Sequence, residues 1–211
     1  MILIGQYDSP FVRRVAITLH HYELPFEHRP WSVWGDAEKI AAYNPLRRVP
    51  TLLLDDGSAL CETFAIVDTL DELVGAERAL LPARGPVRRA GLRVVALASG
   101  VADKAISLLY SSLDLIVPSA TWTARCRSQV LDTLGLLESE RAAIATPYWL
   151  GESLSHADVA LACAFRFTQE ALPGLIEPNR LRGLAELAAR CEARAEFQRV
   201  YLPITNNLKK A

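Results

Sequence analysis

Three short segments near the start of the chain carry residue types that could bind or activate a ligand. The first is Ser9-Pro10, which follows an apolar stretch at residues 1–5 and opens a segment with helical spacing. A serine before a proline is commonly a helix N-cap with no further role. A helix N-terminus also favours anions, because its free N–H groups and its dipole present positive charge. Ser9 is therefore either a cap alone or a hydroxyl that holds an anionic group.

The second segment runs Asn44-Pro45-Leu46-Arg47-Arg48-Val49-Pro50 and leads into an apolar strand at 51–54. A trans proline entering an edge strand is the common arrangement, since only about 5–6% of X-Pro bonds are cis. A cis bond would instead leave the main-chain groups of Val49 pointing outward, where an extended peptide could pair with them as an added strand. We predict a cis Val49–Pro50 bond and a peptide-like ligand.

The third segment is Glu62-Thr63, at the start of the next helical pattern. Both residues could simply cap the helix or complement its dipole. The same helix terminus offers N–H groups and a hydroxyl to a ligand carboxylate, and Glu62 can accept hydrogen bonds from a ligand ammonium. A zwitterionic γ-glutamyl group would satisfy both.

The spacing of apolar residues changes near residue 80 and predicts two domains. The first alternates strands and helices in the order βαβ and then ββα, with strands at 1–5, 26–31, 51–54 and 58–61 and helices opening at Ser9, over 36–43 and over 63–73. The stretch 80–86 contains two prolines and a glycine and is typical of a linker. We expect an α/β domain over 1–79 and a second domain over 87–211.

Every periodic segment beyond the linker has helical spacing, which predicts an all-α bundle. Two long helices carry apolar stripes around 94–109 and 122–137, and shorter helices follow near 155–170 and 180–192. Ser155 and Asp158 are spaced as a capping box, which indicates a role in folding rather than in chemistry.

Composition excludes several other classes of function. A net charge of −1 provides no basic surface for nucleic acid. The sequence contains no run of about 18 apolar residues, the length needed to span a membrane. The N-terminus does not have the features of a signal peptide, so we expect a cytoplasmic protein. The cysteines form no C-x-x-C pair and the histidines have no metal-ligand spacing. We therefore expect no metal, and structural buried thiols at Cys61, Cys126, Cys163 and Cys191.

The three segments, in this order and followed by helices, resemble the glutathione transferase family over essentially the whole chain. The similarity lies in S-P-F-V-R-R-V at 9–15, N-P-L-R-R-V-P-T-L at 44–52, E-T-F-A-I-V-D-T-L at 62–70 and G-E-S-L-S-H-A-D-V-A-L-A at 151–162. Serine-type bacterial and plant members are the most similar. The resemblance implies a thioredoxin-like N-terminal domain with a mixed four-stranded sheet, joined to a helical C-terminal domain.

The resemblance also assigns roles to individual residues. Ser9 aligns with the residue that activates the glutathione thiol. Val49, which precedes Pro50, aligns with the residue that pairs with the cysteinyl main chain. Glu62 and Thr63 align with residues that hold the γ-glutamyl end, although Thr63 stands where serine is commoner. Arg48 stands beside Val49-Pro50 in place of the usual lysine and is a candidate for the glycyl carboxylate.

Tyr7 is the alternative to Ser9, because other classes of the family use a tyrosine at the end of the first strand. The S-P-F context favours Ser9. Since position 9 is not a cysteine, thiol-disulfide exchange through a protein thiolate is disfavoured.

The implied activity is conjugation of glutathione, as co-substrate, to an apolar electrophile, with a role in detoxification. The electrophile would lie in a pocket between the domains, and its candidate walls are Tyr7, Phe11, Ile106 and Tyr110, which could equally form ordinary interdomain core. The resemblance further implies a homodimer. Two alternatives stay open: a glutathione-dependent peroxidase or isomerase, and a non-catalytic module that kept the fold for binding or assembly.

Overall fold

The computed structural model describes residues 1–113, 115–117 and 119–204, and their contacts group into two units. The first unit contains residues 1–83 and 195–203, and the second contains residues 84–194 together with Ile204. The domain limits expected from the sequence, 1–79 and 87–211, stay a prediction. The two units are taken separately below.

The first unit is built on a four-stranded mixed sheet in the order β2-β1-β3-β4. Strand β1 pairs in parallel with β2 and antiparallel with β3, which in turn pairs antiparallel with β4. The chain order is βαβ followed by ββα, which confirms the thioredoxin-like prediction. The elements are β1 (Ile2–Ile4), α1 (Pro10–His21), β2 (Glu27–Arg29), α2 (Ala37–Ala41), β3 (Thr51–Leu53), β4 (Ala59–Cys61) and α3 (Thr63–Val74).

Buried apolar residues on α1 fix this helix against the rest of the unit. Val12, Val15, Ala16 and Leu19 have the helical spacing seen in the sequence and are fully buried. Each strand is shorter than the segment predicted for it, since only three residues of each are paired with a neighbour.

The C-terminal segment contains a short helix, α8 (Ala195–Gln198), that sequence periodicity did not predict. It is held by Arg13 of α1, a residue only 1% exposed. The Arg13 guanidinium donates to the carbonyl oxygen of Phe197 at 3.1 Å and to that of Val200 at 3.3 Å. It also lies 5.7 Å from the centre of the Phe197 ring.

The second unit is helical throughout its named elements, as predicted. They are α4 (Pro86–Ser112), α5 (Ala120–Ala142), α6 (His156–Ala171) and α7 (Arg182–Glu192). Helix α6 is buried along almost its whole length and contacts both α4 and α7. Its N-terminus has the predicted capping box, in which Asp158 accepts from the Ser155 N–H at 2.9 Å.

All four cysteines are free thiols, and Cys126, Cys163 and Cys191 are buried as expected. Cys61 is only partly buried, because it ends β4 at the edge of the sheet. None of the helices in the described ranges combines the length and the apolar character needed to cross a membrane.

Candidate functional site

Ser9 lies where the chain passes from β1 into α1, and it is the N-cap of that helix. Its Oγ accepts a long hydrogen bond of 3.4 Å from the Val12 N–H, and Pro10 occupies the first helical position. The side chain is partly exposed. Within residues 1–113, 115–117 and 119–204, the hydroxyl proton of Ser9 has no acceptor. Ser9 can therefore donate to an anion at the positive end of α1.

Tyr7, the alternative hydroxyl, is engaged with β2. Its ring stacks on the imidazole of His28, with ring centres 3.9 Å apart and planes within 1° of parallel. His28 is itself held, because its Nε2 donates to the Gly5 carbonyl at 2.8 Å. Burial raises the pKa of Tyr7 to about 12. The Tyr7 hydroxyl is thus neutral at physiological pH, and it can donate a hydrogen bond but cannot serve as a base.

The Val49–Pro50 peptide bond is cis, which confirms the prediction. The Val49 side chain packs against the buried cluster of Ile4, Ile40 and Leu53. Neither the N–H nor the C=O of Val49 has a hydrogen-bond partner in the part of the chain that the structure describes. With its side chain inside and its main chain unpaired, Val49 can bind an extended ligand as an added strand.

A close approach to helix α1 and to the Val49 loop makes glycine necessary at position 5. Gly5 has φ +129°, and a Cβ there would lie 2.5 Å from Val12 Cγ2 and 2.8 Å from Val49 Cβ. Any side chain at this position would displace Val12 of α1 or the Val49 loop.

Glu62 and Thr63 form an open N-terminus on α3. Glu62 is the N-cap residue, yet its side chain makes no capping bond, and its φ of +70° is rare for a residue other than glycine. Among the described residues nothing is bonded to the Thr63 hydroxyl. Glu62 forms an ion pair with Arg48 at 3.3 Å, with 58% and 59% of the two side chains exposed. Such an exposed pair contributes about 0–1 kcal/mol, so a charged ligand can replace it.

These residues come together around one cleft in the first unit. The predicted glutathione residues Arg48, Val49, Pro50, Glu62 and Thr63 line it, along with Phe11 and Asn44. Ser9 is not among the lining residues, although it lies only two residues before Phe11.

Sequence reasoning missed two contributors to this cleft. It assigned Phe11 to the electrophile pocket, which stays a prediction, and did not assign it to this cleft, which Phe11 also lines. It gave Asn44 no role, although an asparagine directly before Pro45 is a known signal for a side chain that bonds to the following turn.

The other two residues predicted for the electrophile pocket, Ile106 and Tyr110, lie one turn apart on α4 in the second unit. Both are partly buried. Their place in a pocket stays a prediction.

The described ranges hold no group of three or more His, Cys, Asp or Glu side chains that could ligate a metal ion.

Comparison with known proteins connects this geometry to a family. Residues 3–78 match the family model for the glutathione S-transferase N-terminal domain, and residues 120–200 match that for the C-terminal domain. The chain is 28% identical over 166 residues to the uncharacterized GST-like protein YibF of Escherichia coli, an alignment that covers 78% of this chain and 80% of YibF. It is 26% identical to glutathione S-transferase U25 of Arabidopsis thaliana, over 76% of this chain and 69% of U25.

Similarity to solved structures extends over nearly the whole chain. A glutathione S-transferase of Methylobacterium radiotolerans, in complex with glutathione sulfonate, superposes with a TM-score of 0.87 at 28% identity. The superposition covers 97% of this chain and 95% of that one.

Proposed function

Because the chain belongs to the glutathione S-transferase family, we propose that it binds glutathione in the cleft between Val49 and Glu62 and activates the thiol at Ser9. One observation carries the proposal. The cleft combines an unpaired main-chain N–H and C=O at Val49 with an uncapped helix N-terminus at Thr63, both in one unit. A peptide that carries a terminal carboxylate matches this pair of features.

The γ-glutamyl end of glutathione fits the α3 terminus. Its carboxylate would accept from the Thr63 hydroxyl and from N–H groups of the first helical turn, where the dipole adds to the attraction. Its ammonium would donate to Glu62 and take the place of Arg48 in the exposed ion pair. Arg48, once released, would be available to the glycyl carboxylate. The cysteinyl main chain would meanwhile pair with Val49.

Activation requires the thiol to be held as a thiolate. A free thiol has a pKa near 8.5, so at pH 7 most of it is protonated. A decrease of about two units corresponds to roughly 2.7 kcal/mol, which a charge-assisted hydrogen bond from Ser9 and the α1 N-terminus can together supply. The thiol proton leaves to solvent, and Ser9 keeps its own proton.

The thiolate then attacks an electrophilic carbon. A carbon–sulfur bond forms, and the leaving group departs with the electron pair of the bond that breaks. We assign the electrophile to an apolar pocket with Tyr7, Phe11, Ile106 and Tyr110 as candidate walls, on the strength of the family resemblance. The Tyr7 ring is already held in place by its stack on His28.

We also infer a homodimer, as the family resemblance implies. Sedimentation at micromolar concentration should give twice the 23.2 kDa chain mass. A mass equal to that of one chain would contradict the dimer.

Two assays together test the function. The protein should be retained on immobilised glutathione and eluted by free glutathione, and it should conjugate glutathione to a chloronitroaromatic substrate. If it is retained but conjugates nothing, conjugation is not its activity, and the remaining alternatives are a glutathione-dependent peroxidase or isomerase and a non-catalytic binding module. If it shows neither property, the proposal is wrong.

A further inference from the structure

Asn44 is a buried polar residue to which the proposed mechanism gives no task. Its side chain lines the glutathione cleft, yet the residue is only 1% exposed. We propose that Asn44 is a positioning residue: together with Thr51, it fixes the Arg48–Val49 peptide group so that the Val49 N–H is held ready for the ligand. This inference rests on the proposed glutathione function.

The side chain of Asn44 is bonded at both ends. Its Nδ2 donates to the Arg48 carbonyl at 2.9 Å and to Thr51 Oγ1 at 3.1 Å. Its Oδ1 accepts from the Leu46 N–H at 3.0 Å. Thr51, which is fully buried, donates in turn to the same Arg48 carbonyl at 3.2 Å. Two buried side chains thus bind one carbonyl oxygen of an otherwise exposed loop.

Peptide geometry carries this constraint to the next residue. The Arg48 C=O and the Val49 N–H belong to one planar trans peptide group, in which they point in opposite directions. Since the carbonyl is held toward Asn44 and Thr51, the N–H must point away from them. The Val49 side chain is also fixed, by the cluster of Ile4, Ile40 and Leu53. The N–H cannot turn to another partner, and no described residue bonds to it.

A donor held in its bound orientation before the ligand arrives lowers the entropic penalty of binding. Removing the Asn44 amide leaves the Arg48 carbonyl with the longer of its two bonds, and the peptide group gains freedom to rotate. We expect glutathione to bind about three- to tenfold more weakly, the value of roughly one net hydrogen bond. The thiol pKa of bound glutathione should not change, because Ser9 is outside this network.

The test compares Asn44→Ala and Thr51→Val with Thr18→Val as a matched control. Thr18 is also fully buried, and its hydroxyl donates to the Arg14 carbonyl at 3.0 Å within α1, away from the loop. Glutathione affinity by calorimetry, KM and kcat for conjugation, and the pKa of the bound thiol are measured in each variant. Both loop variants should raise Kd and KM for glutathione and leave kcat at saturation and the thiol pKa unchanged. Thr18→Val should lower only thermal stability, and Thr51→Ser, which keeps the hydroxyl, should bind as wild type.

A modified ligand separates positioning from general loosening of the fold. Replacing the cysteinyl carbonyl oxygen of glutathione by sulfur gives a weaker acceptor for the Val49 N–H. Wild type should lose several-fold in affinity on this change, and Asn44→Ala should lose clearly less.

Three outcomes would each overturn the assignment: equal losses in wild type and Asn44→Ala with the modified ligand, wild-type glutathione affinity in both loop variants, or weakened binding in Thr18→Val. If wild type itself does not bind glutathione, the proposed function fails first, and this inference fails with it. Should Asn44→Ala not fold, Thr51→Val and Thr51→Ser still decide the question.

Discussion

The N-termini of α6 and α3 solve the same physical problem in opposite ways. Each helix begins with N–H groups that have no partner inside the helix. At α6, Asp158 is fully buried and accepts from the N–H groups of Ser155 and Trp149, at 2.9 and 2.7 Å. At α3, Glu62 makes no capping bond, and its side chain lies 58% exposed in an ion pair with Arg48. One terminus is closed by the protein, and the other is open to a ligand.

The α1 terminus lies between these two cases. Ser9 caps it, but through a bond of 3.4 Å and with its hydroxyl proton unused among the described residues. In the proposed site, the two helix starts that would bind the ligand are those whose capping residues leave hydrogen-bonding groups unused. The capping groups at α6 form short hydrogen bonds that stabilise the fold. Those at α1 and α3 form a long hydrogen bond or none, so they can bind a ligand without reducing the stability of the fold.

Removing the cap of α6 should have the largest effect of these changes. We expect it to lower the free energy of unfolding and to leave glutathione binding unchanged. Asp158→Ala leaves buried donors at Ser155 and Trp149 without an acceptor, and we expect a loss of roughly 3 to 4 kcal/mol in the free energy of unfolding. Urea denaturation measures it. Asp158→Asn keeps one acceptor oxygen and should lose less. Glutathione affinity of the folded fraction should match wild type, and a specific loss of binding would give Asp158 a role at the site.

The α1 terminus should show its largest effect on the reaction. Ser9→Ala removes the donor to the sulfur, and conjugation should fall about tenfold to a thousandfold, or roughly 1.4 to 4 kcal/mol of charge stabilisation. The pKa of bound glutathione should rise toward its solution value. Affinity for glutathione should change much less, since Val49, Glu62 and Thr63 lie on the cleft and Ser9 does not.

The sequence predicted the features that repeat or that follow local rules. Apolar spacing gave the order of strands and helices, and the Ser155-x-x-Asp158 spacing gave the capping box. It did not predict α8, because a four-residue helix has no period and depends on Arg13, far away in the chain. Nor did it predict the Arg48–Glu62 pair, since that contact exists only when two loops meet. The features that the sequence did not predict all depend on contacts between residues that are far apart in the chain.

The open α3 terminus should respond in binding and not in stability. Thr63→Val removes a hydroxyl that has no partner in the described chain, so the free energy of unfolding should stay within about 0.5 kcal/mol of wild type. Glutathione affinity should fall by about 1 kcal/mol, close to fivefold, through the lost bond to the γ-glutamyl carboxylate. Thr63→Ser is the control and should bind as wild type. A loss of stability without a loss of glutathione affinity would contradict this prediction and would mean that the α3 terminus, like that of α6, serves the stability of the fold.

The smallest effect is expected at Tyr7, whose ring stacks on His28 and to whose hydroxyl we assign no role at the sulfur. With a pKa raised by burial to about 12, Tyr7 stays neutral at every pH below 10, so it should contribute no titration to the pH profile of kcat/KM in that range. Tyr7→Phe keeps the ring and should change conjugation by less than about threefold, by an amount that depends on the electrophile. Titrating the thiolate absorbance of bound glutathione in Tyr7→Phe and Ser9→Ala compares the two hydroxyls directly. If the thiolate persists in Ser9→Ala and disappears in Tyr7→Phe, then the tyrosine is the activating group, and the α1 cap belongs with α6 as a device for folding.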